Sequence, residues 1–171
     1  MKKVSVHYLQ LILFVFLTGL LFYPSRAFAQ LSPAQVIPNF TFYKIDGSIF
    51  GQKQLKKEGK ILFLLFDVTC PRCQYEMQQL AAHYQDFTST SFYFVSMDKK
   101  QQIQNFMTTY GKVFLGKNNV TVLADPNREF LQKFTPAQFP ALYIYNADRK
   151  LLKYWDTSVN IDQVLRVIYA R

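Results

Sequence analysis

Residues 61–77, "ILFLLFDVTCPRCQYEM", join an unbroken apolar run to both cysteines of the chain. The run, residues 61–67, is too short for a buried helix and is typical of a strand that is covered on both faces. We therefore predict a central parallel strand at this point. From Pro71 to about Gln85 the apolar residues recur at helical spacing, so Cys70 and Cys73 fall where this strand is followed by a helix.

Strand and helix patterns alternate along the rest of the chain. Hairpins are predicted in residues 39–50 and 141–156, and single strands in residues 91–97 and 119–125. Further helices are predicted in residues 51–59, 101–111, 126–134 and 160–170. Asp125 and Pro126 are expected as N-cap and first residue of the third of these. The predicted fold class is α/β, with a mainly parallel mixed sheet that carries an antiparallel edge, and with helices on both faces.

The predicted helix that ends at Gly59 would carry a row of basic side chains. Helical spacing places four lysines on one of its faces: Lys53, Lys56, Lys57 and Lys60. Such a face is usually solvated, and the alternative is a contact for an acidic partner or for anionic lipid headgroups.

Residues 1–29 have the pattern of a signal peptide. Two lysines near the start precede an apolar run, residues 8–23, and the small-x-small sequence Ala27-Phe28-Ala29 is typical of a signal-peptidase site. The alternative is an uncleaved membrane anchor, which Arg26 favours because it stands close to the expected cut.

Three parts of the chain are therefore predicted. They are a signal peptide or anchor in residues 1–29, a linker in residues 30–38 and one globular domain in residues 39–171. The first part carries three basic residues and no acidic one, so the remainder keeps 17 basic residues against 11 acidic residues. Export argues against a nucleic-acid partner for this basic domain.

Three interpretations compete for Cys70 and Cys73: a structural staple, half of a metal site or a redox couple. A disulfide that closes so short a loop stabilises a domain by only about 2 kcal/mol. A zinc site normally needs four ligands, and after residue 29 the chain offers only one histidine, His83, three helical turns further on. The redox interpretation is favoured, because Cys70 is expected at the first turn of a helix, where backbone N–H groups stabilise a thiolate.

The two cysteines are expected to have different roles. Pro71 suits the first helical turn, and Cys73 lies three residues after Cys70 on the same helical face, within disulfide reach. Cys70 is then the attacking thiolate and Cys73 the buried resolving thiol. Arg72 adds a second positive influence on the thiolate.

The chain resembles the thioredoxin superfamily, in the exported TlpA-like redoxin branch that is related to the AhpC/TSA families. The resemblance covers residues 37–168 and rests first on residues 38–77, which have that branch's order of hairpin, short helix, buried strand and C-P-R-C motif. It rests also on "FPALYIYNADRKLL", residues 139–152, in which Pro140 takes the position of the family's cis-proline. Residues 120–134 occupy the place of the branch's β-α insertion. The resemblance implies a thioredoxin-like fold.

The resemblance also assigns a role to the loop around the cis-proline. It implies that Phe139 and Pro140 contact the substrate, whose chain pairs with this loop in the manner of a strand. Three residues depart from the family pattern. Thr69 replaces the usual aromatic residue before the first cysteine, Phe139 is larger than the residue that commonly precedes the cis-proline, and Gln78 replaces the proline that often follows Glu-Met.

Thioredoxin has a buried acid in the strand before its cysteines, and residues 61–66 carry no charged residue that could take its place. Two other carboxylates are therefore the candidates for moving a proton to or from Cys73. The first is Asp67, which could equally be a solvated carboxylate of the loop with no catalytic role. The second is Glu76, for which a surface position on the helix is favoured over a catalytic role.

We predict an exported thiol-disulfide oxidoreductase in the periplasm or another extracytoplasmic space. It would reduce protein or small-molecule disulfides through Cys70 and Cys73, and would itself be reduced by an upstream donor such as a membrane thiol-reducing system. No cofactor and no metal ion are expected. The direction stays open, because a cation such as Arg72 near the thiolate makes the disulfide more oxidising.

Two alternatives remain. A peroxidase is disfavoured, because related peroxiredoxins have a peroxide-binding Thr or Ser three residues before the reactive cysteine. Here that position is Asp67 for Cys70, and Cys70 for Cys73. A partner-binding or copper-handling module would hold a soft metal ion on the two thiolates.

Overall fold

The computed structural model describes residues 32–170, and the predicted signal segment lies outside them. Seven strands are present in this range: β1 (Thr41–Lys44), β2 (Ile49–Gly51), β3 (Lys60–Leu65), β4 (Thr90–Ser96), β5 (Val120–Ala124), β6 (Ala141–Tyr145) and β7 (Leu151–Trp155). Four α-helices accompany them in the same part of the chain: α1 (Pro71–Ala82), α2 (Lys100–Tyr110), α3 (Glu129–Phe134) and α4 (Ile161–Tyr169). No helix within the described range is long and apolar enough to cross a membrane.

The seven strands form one mixed sheet in the order β2-β1-β5-β4-β3-β6-β7. β4 pairs in parallel with both β3 and β5, whereas the remaining pairs are antiparallel. The predicted α/β fold with a mixed sheet is confirmed, but the parallel part is limited to three strands. The N-terminal hairpin explains the difference, because β1 joins the sheet beside β5 and extends it in the antiparallel sense, with Tyr43 opposite Ala124.

β3 lies inside this sheet, between β4 and β6, and is buried on both faces. Leu62 and Leu64 point into one apolar cluster together with side chains of α1, α2 and α4. Ile61, Phe63 and Leu65 point into a second cluster with side chains of α3 and of the hairpin β1–β2. Each of these five side chains is completely buried, and full burial of such a side chain contributes about 2 kcal/mol. The predictions of a central strand and of helices on both faces are confirmed.

The predicted helix in residues 51–59 is wrong. Only a short 3₁₀ turn forms, Gln52–Gln54, and the backbone is extended again at Leu55. Leu55 is buried in the second cluster, and the next backbone N–H, that of Lys56, donates to the hydroxyl of Tyr93 at 2.9 Å. Tertiary contacts therefore hold this segment open, and the lysines do not share a helical face.

The helix after β5 starts later than predicted. α3 begins at Glu129, preceded by Arg128 in the left-handed region at φ 56°, so Asp125 and Pro126 are not its N-cap and first residue. The carboxylate of Asp125 nevertheless accepts the backbone N–H groups of Glu129 at 3.0 Å and of Phe130 at 2.7 Å. The buried acid thus caps the helix from a distance of four residues in the chain.

The segment before β1 lies against the far edge of the sheet. Ile37 is buried, its N–H donates to the carbonyl of Arg149 at 3.0 Å, and the carbonyl of Gln35 accepts the N–H of Leu151 at 2.8 Å. The later part of the predicted linker is therefore in contact with β7 and with the turn before it.

Asp125→Ala tests whether the buried carboxylate of Asp125 caps α3. The substitution leaves two backbone N–H groups at the start of α3 without an acceptor, and we expect the free energy of unfolding to fall by about 2 kcal/mol. Asn160→Ala is the matched control, because its exposed side chain caps α4 through a single N–H and its loss should cost about 1 kcal/mol. Urea unfolding measures both, and equal costs would contradict the capping role of Asp125.

Candidate active site

Cys70 is the N-cap of α1. Its carbonyl accepts the N–H groups of Cys73 and Gln74, at 3.0 and 3.1 Å, and Pro71 is the first helical residue. The Sγ atom of Cys70 also accepts the N–H of Cys73, at 3.3 Å. The sulfur of Cys70 therefore lies at the positive end of the helix, and it shares the N–H of Cys73 with the Cys70 carbonyl.

The two thiols have different environments. Cys70 is partly exposed, whereas Cys73 is 0% exposed and packs in the first apolar cluster. Burial raises the pKa of the Cys73 thiol well above its ordinary value, and its contact with Cys70 adds to this effect. A reaction partner can thus reach Cys70, while Cys73 is held as a protonated thiol beside it.

The loop that leads to Cys70 is closely hydrogen bonded. One carboxylate oxygen of Asp67 accepts both the N–H and the hydroxyl of Thr69, each at 2.7 Å. The carbonyl of Asp67 accepts the N–H of Cys70 at 3.2 Å, and the N–H of Val68 donates to Asp98 at 3.0 Å. Asp67 therefore shapes the turn before Cys70, and Asp98 is a neighbour of this loop that the sequence analysis missed.

Glu76 is a buried acid, not the surface residue that was favoured. Its side chain is 1% exposed, and one carboxylate oxygen accepts the N–H of Val159 at 3.1 Å. The other oxygen has no hydrogen-bond donor within residues 32–170. Burial raises the pKa of Glu76 to about 7, although the bond from Val159 opposes this shift. The spacing of Cys73, Glu76 and Leu80 on one helical face was the sequence signal for this burial.

The predicted substrate loop reaches the same end of the sheet. The peptide bond between Phe139 and Pro140 is cis, as the resemblance implied. Pro140 leads directly into β6, whose first residue, Ala141, is paired with Leu65 at the end of β3. Phe139 is half-buried and packs against both apolar clusters. The sheet therefore brings this loop to the edge from which the chain continues to Cys70.

Arg72 and Thr69 border the site from the solvent side, and both are exposed. The carbonyl of Arg72 accepts the hydroxyl of Ser158 at 3.4 Å, which links the first turn of α1 to the loop before α4. In the part of the chain that the structure describes, no group of three or more Cys, His, Asp or Glu residues could hold a metal ion.

A mixed sheet between helices, an accessible cysteine at a helix N-terminus, a buried second cysteine and a cis-proline at the same end of the sheet define a thioredoxin-like redoxin. The chain belongs to the AhpC/TSA family, whose sequence profile matches residues 33–154. It is similar to the thiol-disulfide oxidoreductase ResA of Bacillus subtilis (strain 168), with 28% identity over 128 residues that cover 72% of this chain and 67% of ResA.

Two solved structures illustrate the fold. A secreted disulfide oxidoreductase of Mycobacterium tuberculosis, homologous to E. coli DsbE, aligns with a TM-score of 0.62 and 19% identity over 75% of this chain and 93% of its own. The peroxidoxin BcpB of the same species aligns with a TM-score of 0.65 and 14% identity over 81% of this chain and 97% of its own.

At these identities the two structures show the shared fold alone. The predicted superfamily and fold are confirmed. The family match and the similarity to ResA also confirm the predicted class, thiol-disulfide oxidoreductase.

Glu76→Gln tests the protonation of the buried acid. The carboxyl has an ordinary pKa of 4.5 in the unfolded chain and about 7 in the folded protein, so between these values only the folded protein keeps the proton. The free energy of unfolding of the wild type should therefore fall as the pH rises through this window, by about 3 kcal/mol in total. The neutral glutamine lacks this contribution.

The measurement is urea unfolding of both proteins from about pH 4 to about pH 8. We expect the wild type to lose stability relative to Glu76→Gln over this range. The same pH dependence in both proteins would show that folding does not raise the pKa of Glu76.

Proposed function

We propose that this thiol-disulfide oxidoreductase is exported and that it reduces disulfides in extracytoplasmic proteins through Cys70 and Cys73. The observation that carries the proposal is the difference between the two sulfurs, since Cys70 is accessible at the N-terminus of α1 and Cys73 is buried behind it. Such a pair suits a reaction in which one sulfur attacks and the other releases the product.

The proposed reaction has two exchange steps. In the first, the Cys70 thiolate attacks one sulfur of the substrate disulfide, so that a mixed disulfide forms and one substrate sulfur leaves as a thiolate. In the second, Cys73 gives up its proton and attacks the Sγ atom of Cys70, which releases the other substrate sulfur. The substrate gains two electrons and becomes a dithiol, and the protein is left with a Cys70–Cys73 disulfide.

The second step needs an acceptor for the proton of Cys73, because burial keeps this thiol protonated. Asp67 is the carboxylate that acts on the Cys73 thiol, and its charge adds to the raised pKa of that thiol. Glu76 is favoured as the acceptor because it is buried one helical turn after Cys73 and its pKa of about 7 lets it take up and give back a proton near neutral pH. The carboxylate of Asp67 is already bonded twice to Thr69. We assign the proton transfer to Glu76.

The position of the site supports the proposed substrate contact. The loop at Phe139 and Pro140 is the candidate for substrate contact, since it lies at the end of the sheet from which the chain leads to Cys70. An upstream dithiol donor, such as a membrane thiol-reducing system, must reduce the Cys70–Cys73 disulfide for a second turnover. The apolar segment in residues 8–23 supports export to a periplasmic or other extracytoplasmic space, with retention as a membrane anchor as the alternative to cleavage.

The reducing direction is favoured over the oxidising one. The only argument for an oxidase was the charge of Arg72, and this side chain is exposed. Water and salt screen the effect of an exposed charge, so its influence on the thiolate of Cys70 is small.

Replacement of each cysteine by serine tests the two roles. Cys70→Ser should lose all turnover of insulin disulfides, because the accessible nucleophile is gone. Cys73→Ser should still attack but should accumulate a mixed disulfide with the substrate, which mass spectrometry of the unreduced protein detects. Full activity of Cys70→Ser, or no adduct on Cys73→Ser, would refute the proposed order of attack.

The reduction potential of the couple tests the direction. Equilibration of the protein from Gln30 onward with thiol buffers should give a value near that of thioredoxin, roughly −270 mV, and a value near −120 mV would identify an oxidase. Arg72→Gln should shift the equilibrium toward the disulfide by about threefold or less, and added salt should reduce the difference. Lys112→Gln, an exposed lysine near the far end of α2, is the control and should not shift it.

A further inference from the structure

The backbone of Val68 is held from two sides in the loop between β3 and α1. Its N–H donates to a carboxylate oxygen of Asp98 at 3.0 Å, and its carbonyl accepts the side-chain amide of Gln74, on α1, at 3.4 Å. Val68 also packs against the first apolar cluster. Thr69 and Cys70 follow immediately, so the position of the Val68 backbone determines where Cys70 begins the helix.

Asp98 is itself fixed by the end of β4. The carboxylate oxygen that binds Val68 also accepts the hydroxyl of Ser96 at 2.8 Å, and the Ser96 oxygen accepts the N–H of Asp98 at 3.2 Å. Ser96 is completely buried and is the last residue of β4. The carboxylate is therefore attached to the rigid sheet, not to a free loop.

The parallel pairing of β3 and β4 makes this arrangement possible. Leu65 is in register with Val95, and the N–H of Phe66 donates to the carbonyl of Val95 at 3.0 Å. Both strands thus end side by side, and the residues that follow them meet at the carboxyl-terminal edge of the sheet. Asp98 uses this position to connect one strand end to the loop that leaves the other.

We propose that Asp98 is a positioning residue for Cys70, which holds the loop before it so that its sulfur stays at the N-terminus of α1 in the dithiol protein. The inference rests on the proposed function, since it concerns the reactivity of the same couple. In the disulfide protein the covalent bond to Cys73 also holds Cys70 in place. The hydrogen bond from Val68 to Asp98 is therefore worth more in the dithiol form than in the disulfide form.

Three variants separate the hydrogen bonds of the Asp98 side chain from its charge: Asp98→Ala, Asp98→Asn and Asp46→Ala. The asparagine keeps an oxygen that can accept both the Val68 N–H and the Ser96 hydroxyl, but it removes the charge. Asp46 is the matched control, because one of its carboxylate oxygens also accepts a backbone N–H and a serine hydroxyl, both from Ser48, in the turn between β1 and β2. The full chain without its predicted signal segment, from Gln30 onward, is equilibrated with glutathione for each variant.

We expect Asp98→Ala to shift the equilibrium toward the disulfide by about threefold to tenfold, the range that one hydrogen bond is worth. Its dithiol form should also react more slowly with a small disulfide, and its thiolate absorbance should be weaker at the same pH. Asp98→Asn should stay within about twofold of the wild type, and Asp46→Ala should match it. An effect of charge alone would have the opposite sign, because loss of a nearby anion favours the thiolate and hence the dithiol form.

An unchanged equilibrium in a folded Asp98→Ala protein would overturn the proposal, as would a shift toward the dithiol or an equal defect in Asp98→Asn. If Asp98→Ala does not fold, Ser96→Ala decides, since it releases the Asp98 carboxylate from the sheet and should cause a smaller shift toward the disulfide. No shift in that variant would then refute the inference. A wild-type protein that forms no reversible couple would instead refute the proposed function itself.

Discussion

The burial of β3 on both faces is the constraint on which the rest of the molecule depends. A strand without a solvated face must have neighbours on both edges and layers above and below it, and here β4, β6 and the two apolar clusters supply them. Because such a strand lies inside the sheet, the chain that leaves it emerges between the ends of two neighbouring strands. The loop to Cys70 starts there, at the end of the sheet where Asp98 follows β4 and Pro140 precedes β6.

The chemistry of the site depends on the difference between two sulfurs that are only three residues apart. One turn of α1 places the first at the helix N-terminus, next to solvent, and the second in the apolar cluster. The same helix face then buries Glu76 one turn later, beside the loop that contains Val159. A carboxyl in this position has its pKa raised by burial, so the site combines an accessible cysteine with a buried acid that can hold a proton near neutral pH.

Prediction from the sequence succeeded where the signal was local and failed where a distant contact decided the conformation. The terminal hairpin β6–β7 and the helix α4 were predicted, because two strand-like runs around a turn, and an amphipathic pattern, define such elements within a few residues. The helix in residues 51–59 was wrong, because the burial of Leu55 and the hydroxyl of Tyr93 pull the backbone into an extended form. Glu76 was placed on the surface because a charged residue is usually solvated, although its spacing from Cys73 indicated the buried face.

The sequence by itself determined the central strand, the two cysteines at its end and the order of strands and helices around them. An unbroken apolar run and a proline after a cysteine constrain the backbone through local physics. Only the tertiary structure decided which carboxylates lie around the cysteines and what they bind. Asp98 follows a different strand, and Asp67 turns its side chain to Thr69, so neither position can be read from spacing along the chain. The parallel register of β3 and β4 decides this, because it brings residues about thirty positions apart in the chain to one sheet edge.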